Sequence, residues 1–168
     1  MDMGKVLHAS HEGVEVLRYV GDIRYTLAPS LARFLDDLFS RTKPLGFVVD
    51  LREAGVIDST NLGLLVRIAK CMEDRGGRQP TVISDQEDVN ELLSALGLDE
   101  VFDVVRDDGD ERGAEQEVPV AEASRADTAR TVLAAHRQLM ALNEHNRDQF
   151  QDVVALYEQR AAETPDST

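Results

Sequence analysis

Residues 55–70, GVIDSTNLGLLVRIAK, place an acid, two hydroxyls and an amide directly before an apolar helical run. Asp58, Ser59, Thr60 and Asn61 all belong to the residue types that cap helices, because their side-chain oxygens accept unpaired N–H groups of a first helical turn. A hydroxyl at this place also lies beside the positive end of the helix dipole, where a phosphate is tolerated. The pattern therefore leaves two interpretations open, a helix cap and a phosphate-carrying switch.

The chemistry of a switch at this site would be electrostatic. A phosphate on Ser59 would add nearly two negative charges next to Asp58. On a surface that binds another protein, such a dianion repels acidic groups and is costly to bury. Phosphorylation would then break the interface.

The sequence carries no common catalytic motif. No G-x-S-x-G surrounds Ser59, and neither G-x-x-x-x-G-K-[ST] nor G-x-G-x-x-G occurs. His136 and His145 are nine residues apart, which does not match the spacing of paired metal ligands on a helix. We therefore expect a protein that is not an enzyme, with no catalytic residues, no metal site and no cofactor, and we interpret His136 as an ordinary helix-face residue.

The elements that would position this site alternate between strands and helices. Short β-type runs and amphipathic helical runs follow one another in the order β-β-α-β-α-β-α-β up to residue 106. This order predicts an α/β domain with a mixed, mostly parallel sheet after a first hairpin. The strand at 46–51 precedes the site, Gly55 is placed in the loop after that strand, and a helix begins near Ser59.

The last third of the chain differs in character from the α/β part. Residues 107–121 are predicted to form an acidic linker, because they begin with a run of acids that lacks large apolar residues. Residues 122–163 carry strong helix formers and an apolar stripe, and predict a C-terminal helical extension. This extension is either one long helix or two helices broken near Asn143. Residues 164–168 are predicted to be a disordered tail.

Composition narrows the range of partners. The net charge is −14, and no cluster of Lys and Arg suits a phosphate backbone or an anionic membrane. We therefore expect no nucleic acid and no membrane as partners, and favour a protein with a basic surface. A single cysteine and the absence of a secretory signal pattern predict a protein of the reducing cytoplasm.

A specific family resemblance begins at the strand before the site. Residues 47–84, FVVDLREAGVIDSTNLGLLVRIAKCMEDRGGRQPTVIS, resemble STAS domains, above all the anti-anti-sigma factors. Members of that family read Asp-Ser-[Ser/Thr]-Gly-[Leu/Ile]-Gly between a strand and a helix. Positions 58–63 here read Asp-Ser-Thr-Asn-Leu-Gly, so that Asn61 takes the place of the first motif glycine. The resemblance extends over residues 5–106, which sets the predicted domain at 1–106.

The resemblance implies a STAS-like fold and a role as an anti-sigma factor antagonist. Ser59 would be the phosphoacceptor and Thr60 a secondary acceptor, with a serine kinase and a phosphatase as further partners. The unphosphorylated protein would bind the anti-sigma factor and free the sigma factor. The implied partner-binding residues are Asp58, Ser59, Thr60, Asn61, Leu62 and Gly63.

The C-terminal region resembles the tail of a proteobacterial subgroup linked to surface motility and biofilm control. That narrower resemblance implies a flagellar type of anti-sigma factor. The alternative is a scaffold that is not phosphorylated, in which Ser59 only caps its helix. In that interpretation the C-terminal helix mediates a homo-oligomer or the assembly of partners.

Overall fold

A computed structural model describes residues 3–106 and 114–163 of the chain. The strands are β1 (Lys5–His11), β2 (Val14–Ile23), β3 (Gly46–Ile57), β4 (Thr81–Ile83), β5 (Asp103–Val105) and β6 (Gln116–Glu117). The α-helices are α1 (Ala28–Arg41), α2 (Ser59–Asp74), α3 (Glu87–Ala95), α4 (Arg125–Leu142) and α5 (Glu144–Glu163). Two short 3-10 helices lie at Tyr25–Leu27 and Leu98–Glu100.

The strands form one mixed sheet in the order β5-β4-β3-β2-β1-β6. The hairpin of β1 and β2 is antiparallel, whereas β2, β3, β4 and β5 pair in parallel. This is the mixed, mostly parallel sheet that the alternation of strands and helices predicts. Since β2, β3 and β4 run parallel to one another, their carboxyl ends lie at the same edge of the sheet.

Strand β3 is longer than its apolar run predicts. It continues past Leu51 to Ile57, so the placement of Gly55 in a loop is wrong. The second half of β3 pairs with β2 through two register shifts, while β4 pairs only with Val48, Val49 and Asp50. One side of this half is therefore free of a neighbouring strand, which explains why it tolerates exposed residues such as Glu53.

The main core lies between the sheet and the helices. Alternation along β2 buries Leu17 and Tyr19, as expected for a strand with one face against a core. Helix α2 contributes Leu62, Leu65 and Ile68, each fully buried, because their spacing puts them on one helical face. The same core includes Leu139 of α4 and Phe150 of α5, and several other large apolar side chains.

Tyr19 offers a test of this core. Its ring is fully buried, its hydroxyl has no hydrogen-bond partner among the described residues, and burial raises the pKa of the phenol. We expect Tyr19→Phe to stabilise the fold by about 1 kcal/mol at pH 7, because an unpaired buried hydroxyl is removed.

The wild-type protein should lose stability above pH ~10, since the phenol then ionises in the unfolded chain but not in the folded one. Below that pH the phenol is neutral in both states and contributes no pH dependence. Urea unfolding of both proteins at pH 7 and at an alkaline pH measures the difference. An equal alkaline loss in wild type and Tyr19→Phe would contradict the assignment.

The C-terminal region forms two helices, with the break at Asn143. The stretch predicted as an acidic linker contains a short strand, β6, which pairs with β1 at the sheet edge. Arg18 Nε donates to the Glu115 carboxylate at 2.9 Å, and this contact raises the pKa of Arg18. Residues 107–113, and the tail predicted at 164–168, lie outside the described residues. In the part of the chain that is described, no helix is both long and apolar enough to cross a membrane.

Candidate functional site

Asp58 begins the site at the edge where the parallel strands end. Its N–H donates to the Ile23 carbonyl at the end of β2, which fixes the turn from β3 into α2. Its backbone is extended, and its carboxylate accepts the Asn61 N–H at 3.0 Å, so Asp58 is the N-cap of α2. The side-chain amide of Asn61 donates to the same carboxylate oxygen at 2.9 Å. Of the four capping-type residues, Asp58 therefore supplies the cap.

Ser59 is the first residue of α2 and does not cap the helix. Its side chain is half-buried, and its Oγ lies 2.9 Å from Nε2 of His136 on α4. The other ring nitrogen of His136, Nδ1, lies 2.7 Å from the Val132 carbonyl oxygen. The hydroxyl is thus held by a residue of the C-terminal extension.

The two contacts of His136 assign the direction of both hydrogen bonds. A carbonyl oxygen only accepts, so Nδ1 must carry the proton that it donates to Val132. In the neutral ring, Nε2 then has a lone pair and accepts the Ser59 hydroxyl proton. A serine next to an imidazole nitrogen is also the arrangement that activates nucleophiles, although a backbone carbonyl rather than a carboxylate orients this ring.

The remaining motif residues are buried. Thr60 is 4% exposed, Asn61 and Leu62 are fully buried, and Gly63 is also buried. Leu62 faces the main core, as expected for its position on the helix. The half-buried Ser59 hydroxyl is therefore more accessible than the hydroxyl of Thr60.

Gly63 lies against the backbone of α4. A Cβ atom built at Gly63 would lie 2.2 Å from the carbonyl oxygen of Ala135 and 2.8 Å from its Cα. Such an approach requires glycine at this position, because backbone atoms cannot move aside as a side-chain end can. The second motif glycine is thus the place where the extension crosses α2.

The break between α4 and α5 is itself a docking contact. Asn143 Oδ1 accepts the N–H of Asn146 at 2.8 Å, which caps α5. Asn146 is fully buried, and its side-chain amide donates to the carbonyls of Leu96 and Leu139 at 2.7 and 2.9 Å. The asparagines that interrupt the apolar stripe therefore tie the extension to the end of α3.

His136 is the site residue that sequence reasoning did not identify. It lies 77 positions from Ser59, and no motif links the two. The one available signal was its place in an apolar stripe, beside Val132 and Leu139, where a buried polar residue usually has a partner. Phe150 of α5 packs edge-on against the imidazole, with the ring centroids 5.2 Å apart.

Two apolar side chains remain exposed near the same sheet edge. Val56, two residues before Asp58, is 44% exposed, and Tyr25, after the end of β2, is 50% exposed. Val56 is the second-last residue of β3, and Tyr25 comes just after the end of β2, so both lie near the edge where α2 begins. Exposed apolar groups at the border of a polar site are common in protein-binding surfaces.

Comparisons with known proteins agree with this fold. A comparison with curated proteins gives no match. A crystal structure of an anti-sigma factor antagonist from Mycobacterium paratuberculosis has a TM-score of 0.55 and 22% identity, covering 62% of this chain and 87% of that chain. The NMR structure of the protein TM1081 has a TM-score of 0.52 and 24% identity, covering 58% and 77%. At these identities the likeness shows a shared fold.

The sequence model of the STAS domain matches residues 6–111. This match spans more than half of the chain and includes strands β2 to β5, nearly all of β1, helices α1 to α3 and the whole motif at 58–63, whereas β6 lies outside it. The resemblance stated from the motif is thereby confirmed at the level of the family. The chain belongs to the STAS domain family.

Proposed function

We propose that this protein is an anti-sigma factor antagonist controlled by phosphorylation of Ser59. The unphosphorylated form binds an anti-sigma factor and frees the sigma factor, and phosphorylation by a serine kinase releases the partner. A phosphatase restores the binding form. The likeness to an anti-sigma factor antagonist of the same fold supports the general role.

The observation that carries the proposal is the position of the Ser59 hydroxyl. Asp58 supplies the helix cap, so the Ser59 side chain is not needed for capping, and its hydroxyl contacts Nε2 of His136 instead. The hydroxyl is half-buried at the carboxyl edge of the parallel strands, where functional groups of α/β folds collect. A phosphate there would lie next to the Asp58 carboxylate and beside the N-terminus of α2.

The proposed binding surface is the motif 58–63, in which Asp58 and Ser59 are partly exposed and residues 60–63 are buried, together with the exposed Val56 and Tyr25. The apolar groups would supply contact area, and the net charge of −14 would speed the encounter with a basic partner. A dianion at Ser59 would oppose both docking and desolvation. We propose no nucleic acid or membrane partner, a cytoplasmic location, and a binding role without catalysis.

The C-terminal extension supports a narrower proposal. Its resemblance to a proteobacterial subgroup favours a flagellar type of anti-sigma factor, with a role in motility and biofilm control. Helices α4 and α5 follow the STAS domain, which supports this resemblance.

The second candidate function is a scaffold that assembles through the C-terminal helices without phosphorylation. The exposed Val153 and Leu156 on α5 favour it, because they could contact a second chain. The apolar face of α4 is less available, since Val132, Leu133 and Leu139 are buried within this chain. The scaffold interpretation predicts a concentration-dependent oligomer and no phosphate on Ser59.

Mass spectrometry of the protein isolated from cells that make it tests the proposal. We expect a fraction of molecules to carry one phosphate, which maps to the peptide with Ser59 and disappears after phosphatase treatment. Fragment ions should place the phosphate on Ser59 rather than Thr60, because the Thr60 side chain is buried. Protein that carries no phosphate under all growth conditions would favour the scaffold.

A further inference from the structure

The face of α2 that carries Ser59 differs from the face that fills the core. Ser59, Gly63 and Arg67 follow each other at intervals of four residues, and Leu64 lies beside them, so these four form one side of the helix. We call this side the α2 surface. Each of its residues meets α4 or borders the space next to it.

We infer that the α2 surface is a helix-binding surface, that α4 occupies it in the free protein, and that an external partner binds by displacing α4. The partner element that fits is an amphipathic helix with a small residue opposite Gly63, because only such a helix approaches the α2 backbone as Ala135 does. The identity of the competing partner rests on the proposed function, whereas the surface and its occupant do not.

The seam between α2 and α4 has a packed part, in which Leu64, Ala135 and Leu139 are buried, and an open side. A crevice of about 440 Å³ lies along it, bordered by α1, α2 and α4. This crevice opens to solvent, so α4 is not sealed against α2 along its whole length. On the opposite face of the same helix, Leu62, Leu65 and Ile68 are fully buried in the main core.

Charged groups border the crevice. Arg33 of α1 contacts Asp127 of α4 at 3.3 Å, and Arg67 of α2 contacts Asp36 of α1. Arg33 and Asp127 are both more than 40% exposed, and exposed ion pairs of this kind hold only weakly. The ion pair between Arg33 and Asp127 therefore helps to position α4 but contributes little to the stability of its contact with the domain.

The start of the extension is anchored independently of α4. Strand β6 pairs with β1, and the Ala121 N–H donates to Ser30 Oγ at 3.0 Å, three residues before the Ser124 cap of α4. A helix tethered so close to its surface has a high effective concentration there. Helix α4 can therefore give way to a partner and bind the α2 surface again when the partner dissociates.

The contact between Ser59 and His136 connects this surface to the proposed phosphorylation site. With α4 in place, the Ser59 hydroxyl donates to Nε2 of His136, a residue that is 5% exposed. A kinase and a binding partner would both need this contact to open. The same displacement of α4 would thus expose the hydroxyl and uncover Gly63.

Native-state hydrogen exchange of the wild-type chain tests whether α4 opens on its own. We expect amides in the second half of α4 to exchange at least tenfold faster than those of Val48 to Leu51 in β3, because α4 opens without global unfolding. Equal rates in α4 and β3 would show one cooperative unit and would overturn the inference.

A matched pair of full-length variants tests whether α4 occupies the α2 surface reversibly. Ala135→Glu places a carboxylate in the seam, whereas Ala141→Glu adds the same group at an exposed position of α4 that does not border the crevice. We expect exchange in α4 to rise at least tenfold further in Ala135→Glu, with β3 unchanged, and to stay at the wild-type rate in Ala141→Glu. A parallel rise in β3 would mean that α4 is integral to the fold, and the inference would fail.

The same variants allow a binding assay with a defined probe. A fluorescein-labelled peptide of residues 124–163 should bind Ala135→Glu at least tenfold more tightly than it binds wild type or Ala141→Glu, by fluorescence anisotropy. Equal binding to all three chains would overturn the inference. No anti-sigma factor or phosphate enters these experiments, so their failure leaves the proposed switch standing, and a failed phosphate search leaves this inference standing.

Discussion

Ser59→Asp is expected to weaken binding of the anti-sigma factor by about a hundredfold, which corresponds to roughly 3 kcal/mol. The added carboxylate would lie next to Asp58 on the proposed binding surface, where it repels acidic groups and resists desolvation. Both effects oppose the partner.

Ser59→Ala is expected to bind at least as tightly as the wild type. It removes the hydroxyl that a kinase would modify, and it also removes the hydrogen bond to His136 that helps to keep α4 in place. Isothermal titration of each variant with the anti-sigma factor recovered with the unphosphorylated protein measures the difference.

Ser94→Asp is the matched control for charge. Ser94 is an exposed serine on α3, so the substitution adds the same carboxylate away from the proposed surface. We expect affinity within twofold of the wild type. If Ser59→Asp and Ser59→Ala bind equally, charge at this position does not control the interface, and the scaffold function gains support.

The alternation of strands and helices was predictable because local patterns determine it. GFVVDL reads as a buried strand in any context, and the apolar spacing of α2 reads as a helix with one core face. The second half of β3 was not predictable, because Glu53 and Gly55 resemble a loop and only the pairing of this segment with β2 makes it a strand. Strand β6 was not predictable for the same reason, since Gln116 and Glu117 form a strand only by pairing with β1.

At the candidate site, likewise, the contacts between residues close in sequence were predictable and those with a distant helix were not. The cap at Asp58 depends on residues three positions apart, so the sequence alone indicated it as one of two interpretations. The bond between Ser59 and His136 depends on how a distant helix docks, and no spacing rule connects positions 77 residues apart. An apolar stripe predicts that α4 is buried somewhere, but not the surface that buries it.

The motif therefore has two separable parts in this chain. In the first part, Asp58 caps α2, so that the cap does not use the Ser59 hydroxyl. In the second part, Gly63 has no side chain, so that another helix can pack directly against the backbone of α2. In the free protein one and the same extension contacts both parts, through His136 and Ala135.

Gly63→Ala is expected to destabilise the protein by about 2 kcal/mol, against the direction that helix propensity gives. In an isolated helix, alanine is about 1 kcal/mol more favourable than glycine. Here the new methyl group would lie 2.2 Å from the Ala135 carbonyl oxygen, so α2 and α4 must separate, and overpacking of this kind costs about 1 to 3 kcal/mol. Urea unfolding followed by circular dichroism measures the change.

Gly46→Ala in β3 serves as the control, because a Cβ there would meet only Val14 side-chain atoms, the nearest at 3.5 Å. We expect its stability to lie within about 1 kcal/mol of the wild type, since the contact is ordinary and strands disfavour glycine. Hydrogen exchange separates the two causes of a loss in Gly63→Ala, because strain at the seam accelerates exchange in α4 before it affects β3. A stabilised Gly63→Ala would contradict the close approach of Ala135, because helix propensity would then act unopposed.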